Sequence, residues 1–91
     1  MTMMNKILIT VIVPMIEEEY DIYIPVSKTI KVTRDLLVKT VNELSEGYFP
    51  IKDNNSLVNK TILLSSNGSI LRENNTVKDC GLRNGDKIIM I

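Results

Sequence analysis

The chain has 91 residues, with 11 Lys and Arg balanced by 11 Asp and Glu, no histidine and one cysteine. Zero net charge supplies no long-range field to gather nucleic acid or an acidic membrane surface, so neither is an expected partner. The missing imidazole excludes histidine-dependent zinc sites and histidine-based triads. Cys80 alone cannot close the intrachain disulfide on which secreted domains of this size commonly rely, so the cytoplasm is the expected location.

With 44% hydrophobic and 24% charged residues the composition is that of an ordinary globular chain, and residues 1–91 are expected to form a single domain. A chain this short buries only about 60% of its unfolded surface, so two packed layers are the practical limit.

Lys6 followed by I-L-I-T-V-I-V-P-M-I has the charged start and apolar middle of a secretory signal. However, no small-residue cleavage site follows, Glu17, Glu18 and Glu19 come next, and β-branched side chains favour a strand over a helix. The run is also well short of the roughly 20 residues that span a bilayer, so no direct membrane insertion is expected.

Ile7 to Val13 is apolar on both alternating faces, as a central strand would be, and Pro14 ends it. The three glutamates are expected in a solvated connection, followed by a second strand in Y-D-I-Y-I-P with Tyr20, Ile22 and Ile24 on one face. After Pro25 the period becomes helical. Ile30, Leu37, Val41 and Leu44 form an apolar stripe flanked by Leu36 and Val38, while Lys31, Arg34, Lys39, Asn42, Glu43 and Glu46 cover the remainder. Thr29 or Thr33 can cap the start of this helix and Gly47 its end.

Tyr48 to Asn59 reads as a turn-rich connection with Phe49, Ile51 and Leu57 tucked beneath it. A third strand at Lys60 to Ser66 precedes Asn67-Gly68, the pair suited to a two-residue type I′ hairpin, and Ser69 to Leu71 returns as a short fourth strand. Thr76 and Asp79 are spaced as a capping box for a single helical turn ending at Gly81. Asn84-Gly85 turns the chain again before a last strand at Asp86 to Ile91. The expected fold class is α+β: a mixed sheet of four to five strands in the order ββαββ(turn)β, with one helix on one face.

This order, with Y-D-I-Y-I-P-V-S-K-T-I leading into the helix and the closing N-G…L…N-x-T-V-x-D-C-G-L-x-N-G-D-x-I, resembles the ubiquitin-like β-grasp fold. Within it the chain is most similar to the small YukD and EsaB proteins, cytosolic ubiquitin-like accessory proteins of the Gram-positive type VII secretion system. The resemblance implies a non-catalytic protein-interaction module, without cofactor, whose protein partners include secretion-machine components or a second copy of itself. The alternative is a ubiquitin-like modifier or sulfur carrier activated at its C-terminus. That chemistry needs a flexible Gly-Gly end, and this sequence closes on Ile91 in an expected strand. Ubiquitin's central strand-three isoleucine aligns with Ser65, so its recognition surface is not expected to carry over.

Other constellations give no catalytic or metal site. Asp79 beside Cys80 disfavours the thiolate, and three adjacent carboxylates on an extended segment point alternately to opposite sides, unlike the spaced ligands of a calcium loop. The sheet's second face is more informative. If Ile7, Ile9, Val11, Tyr20, Ile22, Ile24, Ile88 and Met90 meet the helix, then Leu8, Ile12, Tyr23, Ile89 and Ile91 lie where the helix cannot cover them. These five are the expected protein-interaction residues, unless loops or Met1 to Met4 fold over them.

Overall fold

The computed structural model of the chain describes residues 5–46 and 61–91. Expectations for Met1 to Met4, the Gly47 cap, Tyr48 to Asn59 and Lys60 lie outside the described residues. Those described form β1 (Lys6–Val13), β2 (Glu18–Pro25), α1 (Ile30–Leu44), β3 (Leu63–Ser65) and β4 (Lys87–Met90), in one sheet of order β2-β1-β4-β3. β1 pairs antiparallel with β2 and parallel with β4, and β3 runs antiparallel to β4, which gives the expected mixed sheet under one helix.

β1 alternates between two mostly apolar faces, and the odd-numbered one becomes the core. Ile7, Ile9, Val11 and Val13 are buried with Ile22, Ile24, Leu63, Ile88 and Met90, against Ile30, Leu37, Val38 and Val41 of α1. β2 begins two residues earlier than expected, so Glu18 and Glu19 belong to the strand and not to a connection. The reversal is a single tight turn at Pro14–Ile16, closed by the Glu17 N–H donating to the Pro14 carbonyl at 3.1 Å. Glu17 takes the left-handed conformation (φ 54°) that ends the turn.

Thr29 is the helix cap: its Oγ1 accepts from the Val32 N–H at 3.2 Å. Two helix expectations are corrected. Arg34, expected on the solvated side, is 4% exposed, and Leu44, expected on the core stripe, is 52% exposed. Position 34 lies beneath the segment carrying Leu71 and Glu73, where its guanidinium pairs with Glu73 and reaches Asp35 Oδ1 at 3.4 Å. Leu44 falls in the last turn, beyond the sheet residues that cover Leu37 and Val41, and faces a hollow walled by Met15, Glu18 and Tyr20.

The Asn67-Gly68 turn is also corrected. Only Gly68 of the pair has positive φ (90°), whereas a type I′ turn requires it at both positions. Ser65 N–H donates to Ser69 O at 2.8 Å and Gly68 N–H to Ser65 O at 2.9 Å, so the loop holds three residues, Ser66 to Gly68, with the left-handed one last. Ser69 to Leu71 makes a single bridge, Leu64 opposite Ile70, in place of a fourth strand. The helical turn after Thr76 forms as expected: Thr76 Oγ1 accepts from the Asp79 N–H at 3.0 Å, and Gly81 at φ 76° ends it.

Replacing Thr29 by Ala removes the cap acceptor and should destabilise the fold by about 1 kcal/mol, lowering the melting temperature by about 4–8 °C in a calorimetric scan. At Arg34 the direction depends on which partner goes. Glu73→Gln leaves the buried guanidinium with Asp35 as its remaining carboxylate and should cost about 1–2 kcal/mol by urea unfolding, whereas Arg34→Met should change stability by less than about 1 kcal/mol.

Candidate interaction surface

The residues that could contact another molecule are set by strand register. On the face away from α1, the parallel pairing puts Ile12 opposite Ile89, and the β3 ladder puts Leu64 opposite Ile89. The Leu64–Ile70 bridge extends this row by one more side chain. Ile62 and Ile91 exchange backbone hydrogen bonds of 2.7 and 3.0 Å, which makes them a directly opposed pair on the same face as Leu64 and Ile89, each two residues away along its own strand. Ile12, Ile62, Leu64, Ile70, Ile89 and Ile91 therefore form one apolar patch. Its outer members are well exposed: Ile70 66%, Ile91 52% and Ile62 42%.

The five residues singled out from the sequence do not all meet. Ile12, Ile89 and Ile91 belong to this patch. Leu8 and Tyr23 oppose each other near the other end of the β1–β2 ladder. Between the two groups runs a polar row in which Thr10 lies between Asp21 and Lys87, with Thr10 Oγ1 donating to Asp21 Oδ1 at 2.8 Å. The Asn84-Gly85 turn further encloses Leu8, whose N–H donates to Asn84 Oδ1 at 2.7 Å while its carbonyl accepts from the Gly85 N–H at 2.7 Å.

Sequence reasoning missed Ile62, Leu64 and Ile70. In β3 the residue on this face is Leu64, not the following Ser65, which is opposite the buried Ile88. The signal lay in the loop length. A two-residue loop would pair Leu64 with Leu71, whereas the three-residue loop pairs it with Ile70 and turns Leu71 into the core. A one-residue slip exchanges the faces of a strand.

Chemical groups are sparse. Among the described residues no group of three or more Cys, Asp or Glu side chains could hold a metal ion. No described helix is long and apolar enough to cross a membrane. Cys80 is half-buried beside the core, and burial, then the neighbouring Asp79 carboxylate, raises its pKa, against a smaller opposing effect of the Asn75 side chain. A thiol held protonated at neutral pH is a poor nucleophile.

No protein-family model matches the sequence, and no curated protein matches it at the sequence level. Solved structures do match. The EccD5 ubiquitin-like domain from Mycobacterium xenopi is 18% identical at a TM-score of 0.73, covering 94% of this chain and 92% of that one. The ubiquitin-like domain of the Mycobacterium tuberculosis type VII secretion system protein EccD1 is 14% identical at a TM-score of 0.71, covering 97% and 99%. A chain of the MycP5-free ESX-5 inner membrane complex is 16% identical at a TM-score of 0.75, covering 96% of this chain but only 21% of its own length. Ubiquitin-like domains from Arabidopsis thaliana and Plasmodium falciparum are similar as well. Likeness at these identities establishes architecture, and the architecture it establishes for this chain is the ubiquitin-like β-grasp.

Proposed function

We propose that the chain is a non-catalytic ubiquitin-like interaction module. In this reading it works in the cytoplasm as an accessory or regulatory component of a Gram-positive type VII secretion system and docks a protein partner through the isoleucine patch. The patch carries this reading, since it is six aliphatic side chains with no catalytic group among them, on the sheet face opposite the helix. Lone monomers seldom expose so contiguous an apolar area. The secretion context is supported by the likeness to EccD ubiquitin-like domains and by the residue resemblance to YukD and EsaB. A close variant is that the chain serves as one domain of a larger membrane component, as the likeness to part of an inner-membrane-complex chain suggests. Leu8 and Tyr23, with Tyr23 62% exposed, form a secondary contact in this proposal.

A photo-crosslinking residue at position 70, expressed in the native host, should capture a component of the secretion machine, and Ile89→Asp should abolish capture while the melting transition persists. Capture that survives Ile89→Asp, or capture only of unrelated proteins, overturns the assignment. Thioester formation with an adenylating enzyme and ATP would favour the modifier reading instead. Cys80 supplies a separate check on the absence of thiol chemistry. Its raised pKa leaves less thiolate at neutral pH, so alkylation by iodoacetamide should be slower than that of a free small thiol and should quicken in Asp79→Asn.

A further inference from the structure

We propose that the free edge of β2 is a second docking site, which takes an extended segment of a partner protein whose side chains alternate apolar and basic. Among the described residues β2, eight residues long, ends the sheet on one side. The opposite edge differs: β3 is capped by its own returning chain, with Ser65 N–H donating to Ser69 O at 2.8 Å and Leu71 N–H to Leu63 O at 2.9 Å.

The parity of the β1–β2 ladder determines which groups of β2 face outward. Val26 N–H donates to Asn5 O at 3.0 Å, one step beyond the Lys6–Pro25 pair. Hydrogen-bonded pairs alternate along an antiparallel ladder, so Ile24, Ile22, Tyr20 and Glu18 bond to β1 and Glu19, Asp21 and Tyr23 aim their N–H and C=O groups away from it. The other side of β1 agrees, because the N–H and C=O of Leu8 and the N–H of Thr10, the partners of Tyr23 and Asp21, bond to the Asn84 to Asp86 segment. Among the described residues no backbone group outside β1 bonds to β2.

The side chains beside this edge define the occupant. On the open face stand Glu19, Asp21 and Tyr23, the first two being carboxylates without a cation partner among the described ion pairs. On the helix side lie Tyr20 and Ile22, and beyond them α1 presents an i, i+4 ridge of Val32, Leu36, Thr40 and Leu44, whose aliphatic members are 40–52% exposed. Leu44 shares a hollow with Glu18 and Tyr20, whereas Arg34 packs on the opposite flank against Leu71, which places the Leu44 end of the ridge on the β2 side. An added strand would extend the ladder through Glu19, Asp21 and Tyr23, turn every second side chain toward the Leu44 end of the ridge, and set the others beside the carboxylates. Apolar side chains suit the first position and Lys or Arg the second. A second copy of this chain is a poorer occupant, since it would double the acidic charge along the joint. The carboxylates that discourage indiscriminate edge pairing thus select a basic segment.

The test uses the whole chain labelled with nitrogen-15 and a peptide about as long as β2 that alternates valine and lysine. The amides of Glu19, Asp21 and Tyr23 should exchange quickly in the free protein and slow on addition of peptide, with Ile9 protected throughout as a measure of folding. A peptide alternating valine and glutamate should leave them unchanged. Glu19→Lys with Asp21→Lys should weaken binding by about tenfold, consistent with lost exposed ion pairs and new like-charge contacts. Ile70→Asp should have no effect, which keeps the outcome separate from the patch assignment. Unslowed amides under excess peptide overturn the proposal, as do shifts centred on Ile12 and Ile89. Protection that grows with protein concentration in the absence of peptide would instead assign the edge to a second copy and refute the basic partner.

Discussion

The pairing of β1 with β4 is the constraint on which the rest depends. β1 is flanked on one side by β2, its neighbour in sequence, and on the other by β4, roughly eighty positions away, through Thr10–Lys87, Val11–Ile88 and Ile12–Ile89. A parallel pair cannot be joined by a tight turn, so the helix and β3 must be laid down in the crossover between the two strands. The helix is thereby brought over the face carrying Ile9, Val11 and Ile88, all fully buried. Closing such long-range contacts is entropically expensive, and the completely apolar inner face of β1 is what offsets that cost.

The same pairing creates the exposed surface. One helix covers one face of a four-stranded sheet, so residues at even positions of β1 and their partners on β4 must meet something else or face water. Nature's common response is to make such a face polar, and the row of Asp21, Thr10 and Lys87 follows that pattern. The row of Ile12, Ile89, Leu64 and Ile70 departs from it. A face polar in one row and aliphatic in the next is not explained by the stability of the isolated fold.

Gly68 shows how a local backbone event reaches that surface. The left-handed conformation at this one residue closes a loop of three residues in place of two, and the returning chain is displaced by one position. Ile70 then stands outward and Leu71 enters the core beside Leu63. Arg34 is a comparable case of position outweighing character: the long stem of the side chain packs under the Leu71 segment while its head meets Glu73.

Much of this was legible in the order of residues. The alternation of Ile7, Ile9, Val11 and Val13, the change to helical period after Pro25, a threonine cap at position 29 or 33 and the glycine turns marked out the elements, because each rests on contacts within a few residues of chain. They also made the Tyr20, Ile22 and Ile24 face of β2 the more apolar one, although β1 is apolar on both faces. Three things were decided only in the folded molecule. The grouping of Ile12, Ile62, Leu64, Ile70, Ile89 and Ile91 depends on the register of strands distant in sequence, and a period of two cannot tell Leu63 from Leu64. The burial of Arg34 depends on what lies above the helix flank. The outward aim of Glu19, Asp21 and Tyr23 depends on the parity of hydrogen bonds across a ladder. Sequence patterns encode the faces of a single element, while surfaces are made of several elements, and only tertiary pairing says which residue stands next to which.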